Sequence, residues 1–162
     1  MQVRWWVARL HSVGEIMMKF YPEWVKSSSE ITLKNNDGIY PLILASQQGR
    51  SDVVRFLIEQ NAELNVTDHY GNNALWAACY AENNDCIDAL ISAGIDINHQ
   101  NSASGATALI FSASSGIETV VEQLLAAGAD SGLKTHDDFT ALDLASTRKI
   151  LKLLSKHVKS GD

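Results

Sequence analysis

Basic side chains are missing from the middle of this sequence. No Lys or Arg occurs between Phe56 and Leu133, whereas ten Asp and Glu residues lie there, so this stretch carries a formal charge of −10 within a total of −6. Nucleic-acid binding requires clustered Lys and Arg to displace counterions, and we therefore expect no nucleic-acid partner. The charge favours a basic protein partner, attracted over long range. Solubility alone explains it equally well.

Cysteine and long apolar runs are scarce as well. Cys79 and Cys86 are the only cysteines, and they form neither a C-x-x-C motif nor a disulfide framework. In the alignment of repeats described below, both cysteines take slots that are small or apolar in the other copies, so we expect two buried, reduced thiols. Charged residues interrupt the apolar N-terminus, no signal-peptide cleavage site follows it, and the longest uncharged stretch is too polar to span a bilayer. These features predict a cytoplasmic protein without a membrane partner.

A repeating unit runs through most of the chain. The residues that open its four copies are Gly38, Gly71, Gly105 and Asp138. They lie 33, 34 and 33 residues apart, and the leucine four positions after each keeps that spacing. Each unit reads as a glycine turn, a short helix, a second turn, a second helix and a glycine or asparagine stop.

This unit resembles the ankyrin repeat. The resemblance rests on the period, the order of elements, G-A-T-A-L at residues 105–109 and G-A-D at residues 128–130, and it covers about residues 35–154. It implies an all-α fold, an ankyrin-repeat solenoid of stacked helix-turn-helix units with projecting β-turn or hairpin loops. It also implies a binding scaffold, without naming the partner.

The register divides the chain into five units. Residues 35–67, 68–100 and 101–134 are three full repeats, and residues 135–162 are a truncated C-terminal capping repeat. Residues 1–34 are a degenerate helical N-terminal cap, because their apolar positions follow a helical stripe. We prefer capping since the exposed apolar end of a solenoid must be covered. The alternative is a membrane-binding or partner-binding helix.

Three departures from the family pattern carry structural expectations. The slot of the family's histidine reads Ile43, Trp76, Ile110 and Asp143, so apolar packing is expected to join neighbouring repeats. An exposed binding hot spot at Trp76 is the alternative. Glu82 stands where other repeats have a turn glycine, so this corner is expected to be either reshaped or mildly strained. One extra residue in the loop at residues 98–104 should alter the contact surface and spare the stack.

Motifs for chemistry are not evident. The five histidines do not lie at chelating spacing, and no phosphate-loop, serine-hydrolase or zinc-protease motif occurs. We predict no enzyme activity, no cofactor and no metal. The prediction is a noncatalytic interaction module, monomeric when free: a stoichiometric inhibitor such as an antitoxin or immunity protein that masks a basic enzyme, or else an adaptor. A small enzyme or metal-binding protein on the repeat scaffold is the distant alternative.

The resemblance also implies where a partner binds. Ankyrin-like proteins typically use the concave side, which consists of loop tips and exposed positions of each first helix. Carried onto this chain, those positions are Asp37, Ile39, Gln47, Gln48, His69, Tyr70, Asn72, Tyr80, Ala81, Ser104, Ala106, Ser114, Ser115, His136, Asp137 and Phe139. Tyr70 and Tyr80 are expected to be the energetic centre, because tyrosine offers wide contact area with few rotors to immobilise. The alternative is that Tyr70 only packs on its own loop.

Overall fold

The computed structural model of the chain describes residues 34–35 and 38–160. The predicted N-terminal cap therefore lies outside the described residues except for Lys34, and so does the predicted site residue Asp37. Seven helices make up the described part: α1 Pro41–Gln47, α2 Ser51–Glu59, α3 Ala74–Tyr80, α4 Asn84–Ser92, α5 Ala108–Ser115, α6 Glu118–Ala126 and α7 Arg148–Ser160. The all-α prediction is confirmed for these residues.

The helices stack in two layers. Within each of the three full repeats the first helix packs against the second, and α3 contacts both α1 and α5 to form a first-helix layer. The second helices form the other layer, in which α2 contacts α4 and α6 contacts α7. This order is the solenoid that the 33-residue register predicts.

The core repeats with the sequence register. Leu42, Leu75 and Leu109 occupy the same position in successive first helices and are almost completely buried. Each such side chain contributes about 1.5 to 3 kcal/mol on burial. On the second helices, Cys86 takes the buried position that Val120 holds in the next repeat. The small and apolar slots predicted for the cysteines are thereby confirmed.

The turn between α3 and α4 shows the predicted backbone strain. Glu82 has a φ of +52°, close to the +64° of Gly49 and the +79° of Gly116 at the same turn in the neighbouring repeats. A side chain in this left-handed region costs about 1 to 2 kcal/mol. The turn at Glu82 therefore has the same backbone conformation as the glycine turns of the neighbouring repeats, although a glutamate occupies it.

The fourth unit differs from the helix-turn-helix expectation. Residues 141–144 form turns and no α-helix, and the next helix is α7. Thr140 donates its hydroxyl to Asp143 Oδ2 at 2.7 Å, while the Asp143 backbone N–H donates to Thr140 Oγ1 at 3.3 Å. This reciprocal pair closes a single turn locally, at the position where the preceding repeat has the eight-residue α5. α7 nevertheless buries Ile150 and Leu154 and so covers the end of the core.

Candidate protein-interaction surface

Three aromatic side chains meet on the first-helix layer. Trp76 and Tyr80 lie one turn apart on α3, where residues four apart share a face. Phe111, on α5 of the next repeat, contacts both: its ring centroid is 4.2 Å from that of Trp76 and 6.2 Å from that of Tyr80, each pair inclined by 32°. We call Trp76, Phe111 and Tyr80 the aromatic row.

Two members of this row are partly buried and the third is exposed. Trp76 is half-buried against the core, Phe111 is also partly buried, and Tyr80 is 68% exposed. The Trp76 indole nitrogen is buried without a hydrogen-bond acceptor. Trp76 therefore fits neither of the two expectations completely, since it packs against its neighbours as a core residue does and still belongs to an aromatic surface.

Tyr70 belongs to a different cluster. It is 56% exposed, and its ring centroid lies 3.9 Å from the His69 ring in the same loop. Its backbone is fixed on both sides, because its N–H donates to Asp68 Oδ1 at 2.9 Å and its carbonyl oxygen accepts from Ser102 Oγ at 3.1 Å. The loop thus holds Tyr70 in place while much of the side chain remains open to solvent.

The longer loop before α5 packs against the loop that carries Tyr70. Asn101 is buried there and donates from Nδ2 to Asn72 Oδ1 at 3.0 Å, while its Oδ1 accepts from Ser104 N at 2.8 Å. His99 Nε2 lies 2.7 Å from the Gly71 carbonyl oxygen. The loop with one extra residue leaves the stack intact, as expected, and its hydrogen bonds join it to the neighbouring loop.

The other predicted site residues divide by exposure. Those exposed are Gln47, Gln48, His69, Ser104, Ser114, Ser115, His136, Asp137 and Phe139, the last at 48%. Those partly buried are Ile39, Asn72 and Ala81. Ala106 is only 8% exposed, so the expectation that it faces a partner is wrong. Its N–H bonds to Ser104 Oγ and its carbonyl oxygen accepts from Asn101 N, which holds it inside the loop.

Phe111 is the surface residue that the sequence reasoning missed. Its position corresponds to Leu44 and Ala77, which are buried, so the register marks it as core. The size of its side chain could have indicated this position. A phenylalanine ring is too large for a core slot that alanine fills in the preceding repeat, so it has to extend beyond the core.

Most acidic side chains of the central stretch have no ion-pair partner among the described residues. Among the described residues, ion pairs involve only Glu118 and Glu122 of the ten acids in the central stretch, and both pair with Lys149. Asp88 and Glu122 line a shallow groove on the second-helix layer. The middle repeats therefore carry uncompensated negative charge.

The thiols do not form a reactive site. Burial raises the pKa of Cys79 to about 12, and burial together with nearby Asp85 raises the pKa of Cys86 to about 11. Both cysteines are free and buried, as predicted. A thiol with so high a pKa is protonated at neutral pH and is a poor nucleophile.

The described ranges contain neither a candidate metal site nor a membrane-spanning helix. Residues 34–35 and 38–160 contain no group of three His, Cys, Asp or Glu side chains that could hold a metal ion. None of the helices in these ranges is both long and apolar enough to cross a bilayer.

Comparison with known proteins agrees with the architecture. A family described as ankyrin repeats, in three copies, matches residues 12–101. Because this match covers more than half of the chain, the protein belongs to the ankyrin repeat family. Members of this family are in general noncatalytic modules that bind other proteins.

Several curated relatives share the repeats. The mouse B-cell lymphoma 3 protein homolog is 29% identical over 78% of this chain and 28% of its own length. The chicken nuclear factor NF-kappa-B p105 subunit is 28% identical over 80% of the chain and 14% of its own length. The putative ankyrin repeat protein YahD of Escherichia coli strain K12 is 35% identical over 44% of the chain and 34% of its length. The chain thus spans about a third or less of the length of these relatives.

Proposed function

We propose that this chain is a noncatalytic binding module that holds a basic protein partner against its first helices and loops. The single observation that carries the proposal is the exposure of large aromatic side chains on the first helices and loops, above all Tyr80 at 68% and Tyr70 at 56%. Tyrosine is enriched among interface hot spots because it buries a large area at low entropic cost. Tyr70 and Tyr80 are the proposed energetic centre.

The neighbouring repeat offers room for a partner element. Ser104 and Ser114 are small and exposed at positions where the second repeat carries larger side chains. A protruding segment of the partner fits over these serines while its flanks contact the tyrosines.

The charge distribution supports a basic partner. Ten acidic residues and no Lys or Arg lie between Phe56 and Leu133, so the middle repeats attract positive charge and accelerate its association. A stoichiometric inhibitor fits this surface best, for example an antitoxin or immunity protein that masks a basic enzyme in the cytoplasm. An adaptor is the second candidate. It is favoured by the relatives, in which the matched repeats occupy a minor part of a longer protein.

The test is capture of the partner from native extract by the full chain. A Tyr70→Ala/Tyr80→Ala variant should lose the partner, with binding weakened by at least about 2 kcal/mol and thermal stability nearly unchanged. Asn84→Ala/Thr119→Ala, at two exposed and uncharged positions on the second-helix layer, is the matched control and should retain it. Capture by a folded tyrosine double variant would move the site to another surface.

Stoichiometry separates the two candidate roles. An inhibitor forms a 1:1 complex in which the partner's own activity is lost, whereas an adaptor leaves that activity intact and binds a third protein in the same complex. Light scattering on the purified complex and an activity assay of the partner distinguish them.

A further inference from the structure

We infer that the aromatic row is a seat for a cationic side chain, specifically an arginine presented by the basic protein partner. The inference rests on the proposed function, because it assigns the chemistry by which that partner is recognised at Tyr80. It commits to one occupant, a single arginine in an extended or protruding segment of the partner.

The geometry of the rings suits a cation. Phe111 and Tyr80 have centroids 6.2 Å apart, so a guanidinium placed over the gap between them lies within about 5 Å of both centroids, inside the roughly 6 Å range of cation–π attraction. The second contact of Phe111, with Trp76 at 4.2 Å, fixes its ring against the core. Trp76 and Phe111 are partly buried, so their rings are held in place by packing. The Tyr80 ring is exposed and remains accessible to a side chain of the partner.

Among the described residues, no Lys or Arg lies over the aromatic row. In the described residues, Lys34 Nζ lies 4.8 Å from the centroid of the Tyr40 ring at the start of the first repeat. In that cation–π contact, a lysine of the chain itself supplies the cation. Between Phe56 and Leu133 the sequence has no Lys or Arg, and within residues 38–160 the ring contacts of Tyr80 and Phe111 are with each other and with Trp76. In this part of the chain the rings are left without a cation, which a basic partner can supply.

The size of the patch favours one side chain over a packed helix. The position of Tyr80 is taken by Gln47 in the preceding repeat and by Ser114 in the following one, and both are exposed. The aromatic surface is therefore bounded by polar side chains on both sides along the stack. An amphipathic helix needs an apolar groove several turns long, whereas an arginine needs only two or three rings.

Arginine fits better than lysine for a physical reason. Its guanidinium is planar and weakly hydrated, so it stacks on aromatic faces at a lower desolvation cost than an ammonium group. The uncompensated carboxylates of the middle repeats attract a positively charged side chain over long range. The aromatic rings then favour the planar guanidinium over an ammonium group.

The experiment uses the full chain and a defined probe, a tetra-arginine peptide, with tetra-citrulline as the uncharged control of nearly equal shape. Binding is followed by NMR of the tyrosine and phenylalanine ring protons. Tetra-arginine should shift the resonances of Tyr80 and Phe111, and tetra-citrulline should not. Tyr80→Leu should weaken tetra-arginine binding about two- to fivefold, while Tyr80→Phe, which keeps a ring, and the control Asn84→Leu, on the second-helix layer, should leave it nearly unchanged.

Three results would overturn the inference: equal affinity for tetra-citrulline, unchanged affinity in Tyr80→Leu, or shifts confined to the second-helix layer around Asp88. Its failure is separable from failure of the proposed function. If Tyr70→Ala/Tyr80→Ala loses the natural partner but tetra-arginine does not shift the Tyr80 and Phe111 resonances, the proposed interaction face is supported and the arginine site is wrong. If the folded tyrosine variant keeps the partner, the proposed face itself is wrong.

Discussion

The side-chain amide of Asn83 joins two repeats by donating a hydrogen bond to the carbonyl oxygen of Gly49, 3.1 Å away and 34 residues earlier. Its other end, Oδ1, accepts from the Cys86 N–H at 2.9 Å and caps the start of α4. One side chain thus satisfies a helix N-terminus and a turn carbonyl in the neighbouring unit.

Asn83→Ala should remove both interactions. We expect a loss of about 1.5 to 3 kcal/mol in the free energy of unfolding, the sum of a lost cap and a lost inter-repeat hydrogen bond. Urea unfolding followed by circular dichroism measures it. Asn84→Ala, one residue on and exposed, is the control and should change stability by less than about 0.5 kcal/mol; equal effects of the two substitutions would contradict the double role of Asn83.

Glu82→Gly should stabilise the protein. Glu82 has a φ of +52°, and glycine relieves a cost of about 1 to 2 kcal/mol in that region, partly offset by the greater freedom of glycine in the unfolded chain. A net gain of about 0.5 to 1 kcal/mol should raise the melting temperature. Glu82→Ala removes the charge but keeps the strain, so it should give no such gain. A rise of equal size in Glu82→Ala would show that charge, and not backbone conformation, is the cause.

Trp76→Phe should be tolerated much better than Trp76→Ala. The indole N–H of Trp76 is buried without an acceptor, and such a group costs about 1 to 3 kcal/mol. Phenylalanine removes that penalty and keeps a ring against Phe111, so a net change below about 1 kcal/mol is expected. Alanine leaves a cavity, and the loss should reach at least about 2 kcal/mol. Thermal unfolding of both variants decides the comparison, and a loss in Trp76→Phe as large as in Trp76→Ala would refute it.

The buried thiol of Cys79 predicts a loss of stability in alkali. Its pKa rises from 9.0 to about 12 on folding because burial disfavours the thiolate. Above pH 9 the unfolded chain therefore gives up a proton that the folded chain keeps, and stability falls as pH rises toward 12. Between pH 8 and pH 10 the wild type should lose about 1.4 kcal/mol more than Cys79→Ala, measured by urea unfolding at each pH. Identical pH profiles for the two proteins would show that the thiol does not contribute.

The sequence by itself determined the stack. Its 33-residue register specifies helix-turn-helix units, the leucine rows at Leu42, Leu75 and Leu109, the small slots of both cysteines and the strained corner at Glu82. These features depend on contacts within a unit or on the same position in the next unit, and periodicity therefore reveals them. The N-terminal cap and the partner-binding residues stay predictions.

Tertiary structure decided how side chains from neighbouring repeats meet. The contact of Phe111 with Tyr80, the half-burial of Trp76 and the inward turn of Ala106 depend on the distance and rotation between successive units, which the spacing of residues along the chain does not encode. The fourth unit is a further case, because only the packing of α7 against α6 shows that a single turn suffices in place of a first helix. The period of the sequence specifies which residues are equivalent, whereas the geometry between repeats determines which of them touch.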